Sequence, residues 1–272
     1  MAAAPLIVFS HANSFPAGTY NVLFRELRAR GFAVKAVEKF GHAPDYPVTN
    51  NWPHLVQQLH DFAARETDKA GEPAFLVGHS LGGFLSILCA ARHPRLARGV
   101  LLLDSPLLGG WKSHALRAVK RTPLVGSLSP GAVSRKRRNR WPSRELALEH
   151  FRHKKAFARW DPQVLADYIA HGTRDEGGER VLEFDRDVET AIYNTLPDNL
   201  ERVLRQDPLR CPAAFIGGLQ SEEIGQVGLG MTERVTQGRV TMLDGSHLFP
   251  MEKPLPTAAA VEAALRALPP SA

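Results

Sequence analysis

A single serine lies between two glycines in the stretch Gly78-His79-Ser80-Leu81-Gly82. A serine hydroxyl is a weak nucleophile unless a neighbouring base removes its proton, and a sharp turn can present it to such a base. In so tight a turn the residues two positions before and after the serine must be small, because larger side chains would collide. Glycine also tolerates strained backbone. The spacing therefore favours a turn that exposes Ser80 for nucleophilic attack and directs the Leu81 N–H at a developing oxyanion.

The sequence on either side of this turn fits that interpretation. The apolar run that ends at His79 predicts a strand, and the leucine- and alanine-rich run from Leu81 to Pro94 predicts a helix. A strand followed directly by a helix is the context that a serine nucleophile requires in a turn of this kind.

Similar apolar runs recur along the chain, and helical patterns separate them. Because the runs do not alternate polar with apolar residues, they predict parallel strands that are buried on both faces. The predicted strands cover residues 5–12, 32–40, 73–79, 98–106, 211–218 and 239–246. The expected fold class is α/β, a mostly parallel sheet flanked by helices.

This alternation stops between residues 107 and 207, where the sequence shows helical patterns and no convincing strand. A block of this size between two strands predicts a helical cap or lid, inserted before the last two strands of the sheet. The predicted domains are therefore a sheet-containing core, residues 1–106 and 208–272, and a cap, residues 107–207.

Three landmarks give the chain a resemblance to a known family. They are "VFSHANSFP" after the first strand, "VGHSLGG" at the serine turn and "GSHLFPMEKP" after the last strand. Together they resemble the α/β-hydrolase superfamily over nearly the whole chain, most of all its small esterases and their capped relatives. The resemblance implies that Ser80 is the nucleophile and that His247 is the general base, in the chain order serine, acid, histidine.

The resemblance also implies a second oxyanion donor in the loop after the first strand, where the family usually has His-Gly. This chain has His11-Ala12-Asn13-Ser14 there, with alanine in place of the glycine. By position, the Asn13 N–H is the expected second donor beside that of Leu81, and the Ala12 N–H is the alternative. His11 and Asn13 are the predicted substrate-binding residues of this loop, and His11 is also expected to organise it through hydrogen bonds.

The acid of the triad has two candidate positions. The commonest family position follows the penultimate strand, where this chain reads "FIGGLQSEEIG". Aligning on Gly218 puts Ser221 at the place of the acid, with Glu222 and Glu223 directly after it. Some family members carry the acid one strand earlier, where this chain has Asp104. Asp104 is predicted as the acid that orients His247, and Glu222 is the alternative acid.

The net charge of +6 is unevenly distributed. Residues 111–160 contain 14 Lys and Arg against two acidic residues, a net of +12, which leaves −6 for the rest of the chain. A basic block can indicate nucleic acid or an acidic substrate, but more often it is a solvated face on a variable segment, which is the favoured interpretation here because no nucleic-acid motif accompanies it. The predicted partner is a small-molecule acyl substrate, for which an acidic acyl or CoA-type group would suit the basic block. No nucleic-acid or membrane partner is expected.

No cofactor and no metal are expected, because the sequence has no Cys/His cluster with zinc spacing, no P-loop and no dinucleotide-binding fingerprint. Only Cys89 and Cys211 are present, which favours a reducing compartment over a disulfide framework. The first residues do not show the pattern of a secretory signal, and no apolar run is long enough for a transmembrane helix. We therefore expect a cytoplasmic protein.

A serine at the turn favours acyl transfer, since the dehalogenases and epoxide hydrolases of the resembled family use an aspartate there. The leading prediction is a hydrolase of carboxylic esters or thioesters. In it, Ser80 attacks the carbonyl, His247 takes and later returns the proton, and water releases the acyl enzyme. Two alternatives stay open: a hydrolase of carbon–carbon bonds in diketone-like acids, and a non-catalytic ligand-binding member of the fold.

Overall fold

The computed structural model describes residues 4–120 and 131–270. Its strands are β1 (Leu6–Ser10), β2 (Ala33–Ala36), β3 (Ala74–His79), β4 (Ala97–Leu103), β5 (Arg140–Trp141), β6 (Thr173–Glu176), β7 (Glu179–Leu182), β8 (Ala213–Gly218) and β9 (Val240–Leu243). Its α-helices are α1 (Asn21–Ala29), α2 (Pro53–Ala70), α3 (Leu81–Arg92), α4 (Trp111–Lys120), α5 (Gly131–Lys136), α6 (Arg144–Arg152), α7 (Pro162–Gly172), α8 (Arg186–Asn194), α9 (Leu200–Gln206), α10 (Glu222–Val227), α11 (Gly230–Thr236), α12 (Phe249–Glu252) and α13 (Pro254–Ala267).

Six strands form the main sheet in the order β2-β1-β3-β4-β8-β9, and every neighbouring pair is parallel. All residues of β1, β3 and β8 are buried, as the unbroken apolar runs predict for strands covered on both faces. The predicted α/β class is confirmed. The order of strands reverses between β1 and β3, and ligands of open α/β sheets bind at the carboxyl ends of strands beside such a switch point.

The two faces of the sheet pack into two apolar clusters. Ile7 and Phe9 of β1 belong to one cluster, whereas Val8 points to the opposite face and belongs to the other. Tyr168 of α7 shares the first cluster, and Ile192 of α8 shares the second. The inserted segment therefore packs into the same two clusters as the sheet. Its exact limits, residues 107–207, stay a prediction.

The prediction that residues 107–207 contain no strand is wrong. Strands β5, β7 and β6 form a small antiparallel sheet, in which β6 and β7 are joined by the two-residue loop Gly177-Gly178. Both glycines have positive φ, 63° and 83°, as the tightest hairpin turns require. Arg140 of β5 forms ion pairs with Glu176 and Glu179 across this sheet. These strands are two to four residues long and rich in charge, so they carry no apolar run that pattern reading would find.

The edge strand β2 is also shorter than predicted, since the sequence pattern suggested residues 32–40 and the strand covers Ala33–Ala36. Its only neighbour in the sheet is β1, so fewer ladder hydrogen bonds hold its end in place. In the parts of the chain that the structure describes, none of the helices has both the length and the apolar character needed to cross a bilayer.

Candidate active site

Ser80 occupies the turn between β3 and α3, with φ 52° and ψ −115°. This conformation is strained for a residue other than glycine, and it persists because both flanking elements hold it. A Cβ atom at Gly78 would lie 2.1 Å from the backbone carbonyl of Gly82, and one at Gly82 would lie 2.0 Å from the carbonyl oxygen of Ser10. The predicted steric reason for both glycines is confirmed, because no larger residue fits either position.

Three side chains form a continuous chain of hydrogen bonds at the carboxyl edge of the sheet. Ser80 Oγ lies 3.0 Å from His247 Nε2, and His247 Nδ1 lies 2.8 Å from Asp104 Oδ1. Ser80 follows β3 and Asp104 follows the adjacent strand β4, while His247 comes from the loop after β9. Because the carboxylate accepts from Nδ1–H, Nε2 of the neutral imidazole is free to accept the proton of the serine hydroxyl.

Asp104 is buried with no exposed surface, and three donors surround its carboxylate. Oδ2 accepts from the Gly218 N–H at 2.6 Å, and Oδ1 accepts from the Ser221 hydroxyl at 2.6 Å as well as from His247. Burial by itself would raise the pKa of Asp104, but the hydrogen bonds from His247, Ser221 and Gly218 outweigh it and hold the pKa below its ordinary value. The side chain therefore stays ionised, as an imidazolium partner must.

The structure does not bring the alternative acid, Glu222, to the site. In the described residues His247 pairs with Asp104 and Glu223, whereas Glu222 is exposed on α10. Glu223 Oε2 lies 3.6 Å from His247 Nδ1. Burial would lower the pKa of His247, but its hydrogen bond to Asp104 and the charges of Glu223 and Asp104 raise the pKa above the ordinary value. Of the two glutamates that follow Ser221, Glu223 rather than the predicted alternative acid Glu222 therefore faces the histidine.

The backbone N–H groups of Leu81 and Asn13 have no acceptor among the hydrogen bonds of residues 4–120 and 131–270. The Ala12 N–H donates to the Tyr20 hydroxyl at 3.0 Å, so it is not available as the alternative oxyanion donor. Leu81 opens helix α3, where unpaired N–H groups and the helix dipole favour negative charge. The predicted pair of donors is thus compatible with the geometry, and the alternative is not.

His11 does not occupy the position expected of a substrate-binding residue. Its ring has no exposed surface, and both nitrogens bond to backbone groups. Nδ1 donates to the Ala12 carbonyl at 2.7 Å, and Nε2 accepts from the Phe40 N–H at 3.0 Å. Burial lowers the pKa of His11 to about 4, so the ring is neutral. His11 holds the loop in shape and has no ring atom left for a substrate.

A second buried histidine connects the two loops of the site. The Tyr20 hydroxyl donates to His79 Nδ1 at 2.7 Å, and His79 Nε2 donates to the backbone carbonyl of His247 at 2.9 Å. Burial and the neighbouring His247 lower the pKa of His79 to about 3, so it remains neutral while it makes both bonds. The contact is with the backbone of His247 rather than with Ser80, which explains why no sequence spacing pointed to it.

Helix α8 of the inserted segment contacts the loop that contains Asn13, the predicted second oxyanion donor. Asn13 Nδ2 donates to the Glu189 backbone carbonyl at 3.1 Å, and the Ser14 hydroxyl donates to the Glu189 carboxylate. Ser14 has a positive φ of 76°, so its conformation also needs support from its neighbours. The Nδ2 atom of the predicted substrate-binding residue Asn13 therefore already donates a hydrogen bond to helix α8 of the inserted segment.

Asp104, Glu223 and His247 are the one group in the described residues whose potential metal ligands lie within 4.8 Å of one another. His247 Nδ1 and Asp104 Oδ1 already bond to each other in this group. Because these two atoms are already paired, the group suits proton transfer between Ser80 and His247 better than it suits the binding of a metal ion.

Residues 7–260 match the family described as the alpha/beta hydrolase family. The chain belongs to the α/β-hydrolase family. Curated relatives include the monoglyceride lipase of Homo sapiens, 34% identical over 129 residues, which are 46% of this chain and 43% of the lipase. The 2-(acetamidomethylene)succinate hydrolase of Mesorhizobium japonicum is 32% identical over 125 residues, which are 45% of this chain and 43% of that enzyme. These matches therefore span less than half the length of either relative.

Solved structures of the same fold match almost all of the chain. The structure of E-2-(acetamidomethylene)succinate hydrolase has a TM-score of 0.71 at 21% identity and covers 97% of this chain and 92% of that one. The thioesterase domain from the curacin biosynthetic pathway has a TM-score of 0.69 at 17% identity and covers 95% of this chain and 91% of that domain. At identities this low, the structural likeness establishes the fold alone. Membership of the family supports hydrolase activity in general.

Proposed function

We propose that the protein is a serine hydrolase that cleaves a carboxylic ester or thioester through an acyl-enzyme intermediate. The observation that carries this proposal is the contact of 3.0 Å between Ser80 Oγ and His247 Nε2. Ser80 lies on a turn in which Gly78 and Gly82 leave no room for a Cβ atom. A base must lie within hydrogen-bond reach of the proton it removes, and this one does. The substrate is a small molecule with an acyl group.

Ser80 attacks the acyl carbonyl while its proton moves to His247 Nε2. The imidazolium that forms faces two carboxylates, Asp104 at 2.8 Å and Glu223 at 3.6 Å from Nδ1. The oxyanion lies against the N–H groups of Leu81 and Asn13, which have no other acceptor among the described residues. His247 then protonates the leaving alcohol or thiol, and a water molecule activated by the same histidine releases the acid.

The intact contacts between Ser80, His247 and Asp104 favour this proposal over a binding protein that has lost turnover. The two cysteines, Cys89 and Cys211, are both free, which supports a reducing compartment as the place where the protein works.

Hydrolysis of p-nitrophenyl butyrate and of butyryl-CoA by the purified protein tests the proposal. We expect turnover of at least one of them, and Ser80→Ala should lower kcat by about 10⁴ or more, as loss of a nucleophile does in related triads. Ser86→Ala is the matched control, because Ser86 lies on α3, the helix that follows Ser80, and its hydroxyl has no partner among the described residues. Turnover of a diketone acid without turnover of any ester or thioester would assign carbon–carbon cleavage instead.

A further inference from the structure

A cluster of polar and charged side chains is buried where the cap meets the oxyanion loop. It is called the cap polar cluster here and consists of Asn13, Ser14, Ser134, Arg137 and Glu189. Only 4% of the Glu189 side chain is exposed. Its Oε1 accepts from the hydroxyls of Ser14 and Ser134 and from Arg137 Nη1, the last two at 2.9 and 3.3 Å. Three donors therefore anchor one oxygen of this carboxylate.

Several polar atoms of the cap polar cluster are buried and have no hydrogen-bond partner in the described part of the chain. They are Nε and Nη2 of Arg137, Oε2 of Glu189 and Oδ1 of Asn13. A buried polar group without a partner costs about 1–3 kcal/mol, so native proteins contain few of them. The Tyr168 hydroxyl, on which Arg137 and Glu189 act, is buried and has no partner in the described residues either. A group of such atoms around the side chain of Asn13, the predicted second oxyanion donor, is the arrangement expected of a site that binds a polar ligand.

Both the cap polar cluster and Glu223 act electrostatically on the Tyr193 hydroxyl. Burial raises the pKa of Tyr193 to about 12, and the charges of Glu189, Arg137 and Glu223 all act on this hydroxyl. Glu223 is also the residue that faces His247 Nδ1 at 3.6 Å. Charges from the cap polar cluster and from the carboxylate that faces His247 therefore act on the same hydroxyl.

The free donors of Arg137 have a geometry that selects among ligands. Nε–H and Nη2–H lie along one edge of the planar guanidinium and point in parallel, which matches the two oxygens of a carboxylate. The remaining nitrogen, Nη1, bonds to Glu189 and so fixes the orientation of that edge. The side chain is 22% exposed, so it extends from the surface of the cap into the buried cluster.

The charge around Arg137 favours an anion. Residues 111–160 carry a net charge of +12. Arg135 and Lys136, the last two residues of α5, and Arg138 on the other side of Arg137 are exposed. A concentration of one sign of charge at an opening raises the local concentration of the opposite ion.

We propose that Arg137 is the specificity-determining residue of this enzyme and binds a carboxylate carried by the substrate's acyl group. The inference rests on the proposed function, and it names the substrate class as half-esters or half-thioesters of short dicarboxylic acids. The acyl carbon must lie at Ser80 with its oxygen toward Asn13, and the cap polar cluster begins at the side chain of that same residue. A carboxylate at the far end of a short acyl chain then reaches the free edge of Arg137.

The test compares kcat/KM for two esters of matched shape, p-nitrophenyl hemiglutarate and p-nitrophenyl 5-methylhexanoate, which differ in a carboxylate against an isopropyl group. We expect the wild type to prefer the acidic ester, and Arg137→Gln to lower the ratio of the two values by about 10-fold to 100-fold, as loss of a charge-assisted pair does. Arg135→Gln is the matched control, since it removes the same charge from an exposed position two residues earlier, near the end of α5, and its ratio should not change.

A third ester, 4-acetoxybenzoate, carries its carboxylate on the alcohol side. Preference for this ester over phenyl acetate, lost in Arg137→Gln, would overturn the placement on the acyl group. An active Arg137→Gln protein that keeps the wild-type ratio would overturn the proposal altogether. Because Arg137→Gln leaves Glu189 without its cationic partner, Arg137→Lys and the double variant Arg137→Gln with Glu189→Gln serve if the single variant does not fold. Both should show the lowered ratio.

Failure of the proposed function is distinguishable from failure of this inference. Glutarate should raise the thermal unfolding temperature of the wild type and of Ser80→Ala, but not that of the Arg137 variants, whether or not any ester is hydrolysed. Ester turnover without an effect of glutarate and without acidic preference contradicts only the carboxylate site.

Discussion

The carboxyl edge of the sheet and the cap position their polar residues by different means. At the sheet edge, Ser80 and Asp104 each follow a buried strand directly, and backbone hydrogen bonds between β3, β4 and β8 set their separation. In the cap polar cluster, Arg137 directly follows α5 and Glu189 lies on α8, and contacts between side chains rather than strand pairing join the two. The first arrangement resists change because moving one residue means moving a strand.

The two regions are expected to govern two different properties of the proposed enzyme, its rate of turnover and its preference among substrates. Contacts at the sheet edge concern the proton of Ser80 and the charge on His247, which are the same for every substrate. In our proposal, contacts in the cap polar cluster concern the part of the substrate that differs from one molecule to the next. We therefore expect changes at the sheet edge to lower turnover of all esters alike, and changes in the cap to alter the preference among them.

The largest expected effect is that of Asp104→Asn. The variant keeps the shape of the side chain but cannot stabilise the imidazolium, so kcat should fall by about 10⁴. The loss should be the same for hemiglutarate and 5-methylhexanoate esters, as steady-state kinetics on both will show. Glu222→Gln, a charge change on an exposed residue of α10, is the control and should leave both rates unchanged. A loss in Asp104→Asn that depends on the acyl group would break the distinction between the two regions.

Gly82→Ala tests how rigidly the sheet edge is built. The added Cβ would lie 2.0 Å from the Ser10 carbonyl oxygen, so we expect the free energy of unfolding to fall by about 1–3 kcal/mol despite the better helix propensity of alanine. Urea unfolding measures the change. The control is Gly225→Ala, where nothing lies within 4 Å of the new atom and stability should be kept or slightly increased. Equal behaviour of the two variants would contradict the packing of the turn.

The smallest effect expected is a shift in pH dependence. His247 must be neutral to take the proton, so kcat/KM is lost as pH falls through its pKa, which is raised above the ordinary histidine value. Glu223→Gln removes one of the negative charges that face Nδ1, so the acidic limb of the profile should move to lower pH. Asp104 and the neutral His79 remain in place beside the ring. A pH–rate profile in which Glu222→Gln shifts the limb as much as Glu223→Gln would show that the distance to Nδ1 has no role.

The sheet and the positions along its carboxyl edge were predictable because buried strands appear in the sequence as unbroken runs of apolar residues. An unbroken apolar run predicts a parallel strand, and the residue after it must lie at the carboxyl edge. Ser80 and Asp104 follow such runs without any intervening loop, and His247 comes soon after the last one. The glycines around Ser80 add a steric requirement that no other local structure shares.

The choice between Glu222 and Glu223 was not predictable from the sequence. Both lie in the first turn of α10, where one position along a helix rotates the side chain by about 100°. Which of the two glutamates faces His247 depends on how α10 packs against the site, and the spacing of residues in the sequence gives no information about that packing. The cap polar cluster was not predictable either. In the sequence Arg137 is one member of a basic run, and only the fold brings it into contact with Glu189.

The central proposal, that Ser80 is a nucleophile activated by His247, is tested most directly by covalent labelling. The folded protein should react with a fluorophosphonate probe, and peptide mass spectrometry should place a single adduct on Ser80. The adduct should be absent after heat denaturation and in His247→Ala, which lacks the base. Folded wild-type protein that gains no adduct, or gains it on another residue, would contradict the proposal.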